Sequence, residues 1–186
     1  AKALVEAPDL VRSVHQAYVD AGARMIITNT YSTIPSYMDK EGLADQYLNY
    51  CKLAGEIARE VANGPDEVLV AGGLPPLSES YRPDLVPPAY EALPIYEAMV
   101  KTLNPFVDLY MCETMSTADE AYNAASAAKR CGEGRPVYVA WTLSEEPGVG
   151  LRSLESVSAA FERVSSLSLD GYLFNCTTPE AVLPAL

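Results

Sequence analysis

Histidine is almost missing from this sequence: His15 is the single one in 186 residues. Chemistry that relies on an imidazole as base, nucleophile activator or repeated metal ligand is thereby close to excluded within this stretch. Basic side chains are also scarce, 13 Lys and Arg against 25 Asp and Glu. The resulting formal net charge of −12 sets the surface against nucleic-acid phosphates and anionic membranes. Long apolar runs are absent too. The longest stretch free of charge, Met25 to Met38, has 14 residues and includes several polar ones, too short to span a bilayer. Neither GxGxxG nor GxxxxGK[ST] occurs, so nothing argues for a nucleotide-binding sheet. Four cysteines are too few for a disulfide scaffold, and a hydrophobic fraction of 49% excludes disorder. Ala1 to Arg12 lacks the apolar centre of a secretory signal. With cysteines that look unpaired, the expectation is a reducing, cytoplasmic setting.

What is present is an alternation of two periodicities. Leu10, Val11, Val14, Ala17, Tyr18 and Ala21 follow helical spacing, with Pro8 and Asp9 suited to the first turn and Gly22 to the stop. Met25 to Thr28 reads as a short buried strand. Leu43, Tyr47, Tyr50, Cys51, Ala54, Ile57, Ala58 and Val61 define a second helix ending near Asn63 and Gly64. Val68 to Ala71 is a strand stopped by Gly72 and Gly73. Prolines at 75, 76, 83, 87 and 88 make Leu74 to Pro88 a long ordered loop. Tyr90 to Leu103 is helical with a break expected at Pro94, and Phe106 to Cys112 is a strand. Thr117 and Glu120 form a capping box that opens an alanine-rich helix to Arg130. Val137 to Thr142 is a strand, Ser153 to Leu167 a helix and Gly171 to Cys176 a strand. Pro179 then starts one more helix.

Strands expected to be buried on both faces and separated by helices mean a parallel sheet. A (β/α)8 barrel spends about 31 residues per unit, so this length supplies roughly six. The expectation is a TIM barrel of which residues 1–186 cover roughly strands 2 to 6, as one domain lacking the first strand and the last two. An open doubly wound sheet is the competing architecture.

Parallel barrels place their chemistry at the carboxyl ends of the strands. Here those ends are Thr28-Asn29-Thr30, Gly72-Gly73, Cys112-Glu113-Thr114, Trp141-Thr142 and Asn175-Cys176-Thr177. Cys51, on an apolar helix face, and Cys131, beside a helix-stop glycine, read as structural, whereas Cys112 could face core or rim. Cys176 ends a strand where a thiolate could act as nucleophile or metal ligand. Glu113 could receive a substrate ammonium; its alternative role is to stabilise the helix that follows.

Several segments together resemble the homocysteine S-methyltransferases. They are Ala21-Gly22-Ala23 leading to Ile27-Thr28-Asn29-Thr30-Tyr31, then Gly72-Gly73-Leu74-Pro75-Pro76 with Ser80-Tyr81-Arg82-Pro83, then Cys112-Glu113-Thr114, and Phe174-Asn175-Cys176. The Leu-Pro-Pro and Ser-Tyr-Arg-Pro segments look closest to the branch using S-methylmethionine. The resemblance implies zinc-dependent methyl transfer to the thiolate of homocysteine, giving methionine, with S-methylmethionine or S-adenosylmethionine as donor. By position, Cys176 matches one of three zinc cysteines, and Glu113 matches the glutamate that binds the homocysteine amino group. Asn29, Thr30 and Asn175 match rim positions around the substrate. The family's adjacent Cys-Cys zinc pair and its glycine-rich Asp motif have no counterpart in this sequence. A rival expectation is therefore a non-catalytic barrel relative that binds an amino acid or a partner without zinc.

Overall fold

The computed structural model describes residues 2–64 and 67–186; Ala1, Pro65 and Asp66 lie outside it. Five strands, β1 (Met25–Ile27), β2 (Leu69–Leu74), β3 (Leu109–Met115), β4 (Val137–Trp141) and β5 (Gly171–Phe174), form one sheet. Every neighbouring pair is parallel, and spatial order equals sequence order. A doubly wound sheet reverses its order at a switch point; this one does not. It is five consecutive strands of a (β/α)8 barrel, open at both edges.

The helices are α1 (Lys2–Glu6), α2 (Pro8–Asp20), α3 (Pro35–Asp39), α4 (Tyr47–Ala62), α5 (Ala89–Leu103), α6 (Ala118–Cys131), α7 (Val157–Val164) and α8 (Pro179–Val182). Pro8 occupies the first turn of α2, where its missing N–H costs nothing, and Val11, His15 and Val19 form its buried stripe. Thr117 caps α6 by accepting the Glu120 N–H at 2.9 Å, as the capping-box reading expects. The buried alanines at 121, 124, 125 and 128 bring α6 close against the sheet.

The structure corrects four sequence expectations. Gly72 and Gly73 do not stop β2 but belong to it. A Cβ on Gly72 would lie 3.0 Å from the Tyr110 ring, and one on Gly73 would lie 2.8 Å from Glu113 Oε1, so both glycines serve close approach. α5 runs unbroken through Pro94. The carbonyl that loses its helical partner belongs to Tyr90, 75% exposed, where water can satisfy it. β3 starts at Leu109 because Asn104–Phe106 form a 3-10 turn around Pro105, and β5 ends at Phe174, short of Cys176.

Burial on both faces holds for β3 and β4 but not for β1 and β5, whose outer edges have no neighbour. Met25, Ile27, Tyr172 and Leu173 remain 37–47% exposed. Met25 and Ile27 line an apolar groove of about 540 Å3 with Leu10, Val14 and Tyr18 of α2. It extends past the end of β1 to Asn29, Tyr31 and Glu113.

Strand starts are pinned by a repeated device. Asp108, one residue before β3, accepts the Val70 N–H of β2 at 2.7 Å and pairs with Arg59 of α4 at 2.8 Å. Asp170, one residue before β5, accepts the Val137 N–H of β4 at 2.8 Å and pairs with Lys129 of α6 at 3.2 Å. The Val137 N–H, together with Lys129, holds the Asp170 carboxyl below its usual range.

Candidate functional site

The carboxyl ends of the strands form a polar rim built on threonines. Beyond β1, Thr28 Oγ1 accepts the Gly73 N–H at 3.0 Å and Thr30 Oγ1 donates to the Gly73 carbonyl at 2.7 Å. The two hydroxyls are 2.9 Å apart. Both residues are buried, so their hydroxyls continue the β1–β2 ladder past its backbone end. Asn29 lies between them, half-buried, and faces the groove.

Glu113 projects over Gly73, whose missing side chain leaves room for its carboxylate. Burial pushes the Glu113 carboxyl up to about 7, because a partly dehydrated carboxylate favours its neutral form. The β3–β4 register shifts between Cys112 and Met115. Within that bulge Thr114 adopts φ 61°, a conformation that a β-branched residue rarely takes. The bulge turns successive side chains into the rim instead of alternating them across the sheet.

Asn175 and Cys176 follow β5. Asn175 Oδ1 accepts the Thr114 N–H at 2.9 Å, and its Nδ2 donates to Thr114 Oγ1 at 3.0 Å and Cys176 Sγ at 3.6 Å. Thr114 Oγ1 donates to the same sulfur at 3.6 Å. Cys176 is also left-handed, φ 51°, and its carbonyl accepts from Thr142 Oγ1 at 3.0 Å. The side-chain bonds from Asn175 to Thr114 thus reach over the end of β4 and join β3 to β5.

The proline-rich loop between β2 and α5 crosses this rim. Tyr31 and Ser80 hydroxyls are 2.6 Å apart, and Ser36 Oγ donates to the Leu77 carbonyl at 2.8 Å. Tyr81, a third left-handed residue at φ 63°, carries the Arg152 guanidinium 4.8 Å from its ring centre. Desolvation, followed by the nearby Cys176, raises the Tyr81 hydroxyl. Burial raises Tyr31 as well, against hydrogen bonds from Ser80 and Thr114.

Of the residues singled out from sequence, Glu113 and Asn29 border the groove, and Asn175 and Cys176 are joined to each other and to Thr114. Thr30 is fully buried and bonded to Gly73. Cys112 is buried on the core side, where dehydration raises its thiol strongly, and Cys51 is buried with its thiol pushed up to about 12. Cys131 is half-buried, which leaves Cys176 as the exposed thiol. His15 lies along the helical wall of the groove, its Nε2 buried without a partner among the described residues, and burial lowers it. Sequence reasoning placed Thr114 at a strand end without its bulge or its bonds to Asn175, and did not single out Tyr31, Tyr81 and Arg152 as rim residues. The Ser-Tyr-Arg-Pro segment was a signal for Tyr81, whereas no periodicity announces a bulge. Among the described residues no group of three His, Cys, Asp or Glu side chains could hold a metal, and no helix is long and apolar enough to cross a membrane.

The chain is 29% identical over 208 aligned residues to the homocysteine S-methyltransferase of Escherichia coli strain K12, with 100% of the chain aligned to 64% of that protein. It is 30% identical over 189 residues to the methionine synthase of Mycobacterium leprae, spanning 94% of the chain but 15% of that enzyme. The crystal structure of the homocysteine methyltransferase MmuM from Escherichia coli in its metallated form matches with a TM-score of 0.85 at 24% identity. That match covers 100% of this chain and 69% of MmuM, and supports the partial-barrel architecture. The family model for homocysteine S-methyltransferase matches residues 1–186, so the chain belongs to the homocysteine S-methyltransferase family.

Proposed function

We propose that this chain is part of a single homocysteine-binding barrel domain whose activity is zinc-dependent methyl transfer to L-homocysteine, giving methionine in the cytoplasm. The observation that carries the reading is the shared rim. A half-buried carboxylate, Glu113, and the exposed thiol, Cys176, occupy the same carboxyl-terminal face of the sheet and are connected through Thr114 and Asn175.

Structural and catalytic zinc sites take Cys, His or carboxylate ligands in sets of three or four. The described residues do not form such a set. Cys176 is a fitting single ligand, exposed and with two hydrogen-bond donors at 3.6 Å from its sulfur, and further ligands would have to come from beyond residues 1–186. Bound zinc would supply a lowered thiol pKa to the substrate.

The chain's own residues do the rest. Glu113 accepts the homocysteine ammonium, which draws its carboxyl back into the ionised form by charge pairing. Asn29 lies beside that ammonium site, while Thr30 and Thr28 hold Gly73 in the position that Glu113 needs. Positioning aligns the substrate sulfur with the donor methyl. A new S–CH3 bond forms as the donor's S–CH3 bond breaks, and a sulfonium donor leaves as a neutral thioether. Neither half-reaction needs an imidazole, in keeping with the lone His15. S-methylmethionine or S-adenosylmethionine is the donor class this reading favours.

The test is methyl transfer from each sulfonium to homocysteine by the natural full-length gene product, with zinc content measured in parallel. Cys176→Ser is expected to abolish both zinc retention and turnover. Unchanged zinc in that variant would remove Cys176 from the metal site, and a protein that binds homocysteine without transferring methyl would support the non-catalytic relative.

A further inference from the structure

The rim contains a device that the proposed reaction does not by itself require. Asn175 is spent on the protein: its Oδ1 accepts the Thr114 N–H at 2.9 Å, and its Nδ2 serves Thr114 Oγ1 at 3.0 Å and Cys176 Sγ at 3.6 Å. The residues it joins, Thr114 and Cys176, both have positive φ, 61° and 51°. Such backbone is strained and persists where the surroundings hold it. Thr114 directly follows Glu113, and Cys176 directly follows Asn175. Between them β4 is tied by backbone, the Asn175 N–H donating to the Trp141 carbonyl at 3.1 Å, and just beyond it Thr142 Oγ1 fixes the Cys176 carbonyl at 3.0 Å; the Asn175 side chain adds the direct tie from β5 to β3. The sheet brings the ends of β3 and β5 near each other, and the Asn175 amide is the side chain that links the backbone after Glu113 to the thiol directly.

We propose that Asn175 and Thr114 are positioning residues that act as a ruler, fixing the span between the amine-binding carboxylate and the sulfur-binding edge of the site. The span selects an amino-acid thiol with two methylenes between its α-carbon and its sulfur over one with a single methylene. This rests on the methyl-transfer reading above. A substrate pinned at its amine by Glu113 reaches the sulfur position only if its chain length matches the distance the clamp imposes. Cysteine, one methylene shorter, would be held by its amine but fall short at sulfur. A rim whose two ends moved independently would close on either.

The experiment compares kcat/KM for homocysteine and cysteine in the full-length gene product and in Asn175→Ala, Thr114→Ala and Thr114→Ser. Zinc content and the amide hydrogen exchange of residue 114 are measured on the same samples. One methylene is worth about 10–200-fold in such discrimination. Asn175→Ala and Thr114→Ala are each expected to lower the homocysteine preference by about tenfold with zinc retained. Thr114→Ser, which keeps the hydroxyl, is expected to preserve the preference. In Asn175→Ala the Thr114 amide, now without its acceptor, should exchange about tenfold faster. Equal losses for both thiols would mean a merely structural role and overturn the ruler; so would unchanged exchange at Thr114, or loss of zinc in Asn175→Ala. An unsubstituted protein that transfers no methyl to homocysteine would instead refute the underlying reaction, and that outcome shows in the wild type before any variant is compared.

Discussion

Glu113→Gln separates the electrostatics of the rim from its chemistry, because its effect on stability needs no substrate. Burial raises the Glu113 carboxyl from 4.5 to about 7. Ionising it in the folded chain therefore costs about 3 kcal/mol more than ionising it in the unfolded chain. The sign follows from proton binding. Below pH 4.5 the group is neutral in both states and adds no penalty. Between pH 4.5 and about 7 the unfolded chain has given up its proton while the folded chain still holds it, and the folded state loses stability across that window. Above pH 7 the penalty levels off. Glutamine has nearly the same shape and no charge, so the variant escapes the penalty. Urea unfolding followed through Trp141, the single tryptophan and 1% exposed, reads the difference. Variant and wild type should differ little at pH 4, and the variant should be the more stable by about 3 kcal/mol at pH 8, with equal urea slopes. Glu120, a second buried carboxyl with a raised pKa, is present in both proteins and cancels. A stability difference that stayed constant from pH 4 to 8 would refute the reasoning.

Two further substitutions test the scaffold. Gly73→Ala places a Cβ 2.8 Å from Glu113 Oε1 and 3.0 Å from Thr30 Oγ1. Because Thr30 is tied to the Gly73 carbonyl, the carboxylate must give way. The expected cost is about 1–3 kcal/mol in urea unfolding, with a raised KM for homocysteine and little change in kcat. Thr117→Ala removes the cap of α6 and should cost about 1 kcal/mol, a fall of about 2–4 °C in melting temperature by calorimetry, with the rim intact.

The parts of this fold legible from sequence are those fixed by local rules. The Thr117-x-x-Glu120 capping box and the Pro8 and Pro179 helix starts depend on neighbours within one turn, and they appear as read. The strands showed as short apolar runs, while their order stayed open between a barrel and a doubly wound sheet until the structure showed it to be constant. What the sequence hid depends on contacts between distant residues. Gly72 and Gly73 read as a stop, since their partners Tyr110 and Glu113 are about forty positions away. Pro94 read as a break because the hydration of the Tyr90 carbonyl is a tertiary fact. Exposure of β1 and β5 depends on which strands flank them. At the site, Glu113 and Cys176 were visible as polar residues after apolar runs. Thr114 was visible as a strand-end residue but its role was not, because a left-handed threonine in a bulge contradicts its own propensity and is held there by Asn175.

Asp108 and Asp170 tie two of the four strand pairs, β2–β3 and β4–β5, at the end of the sheet away from the rim. They anchor β2 and β4 by side chain, before the loops of the rim begin. Register is thus decided at one end of the strands and function at the other. Loops above can lengthen, exchange or be grafted from a relative without a slip being transmitted through the sheet. The fold in this sense behaves as a fixed keel under replaceable decking, with Gly73, Glu113 and Thr114 at the strand ends belonging to the keel.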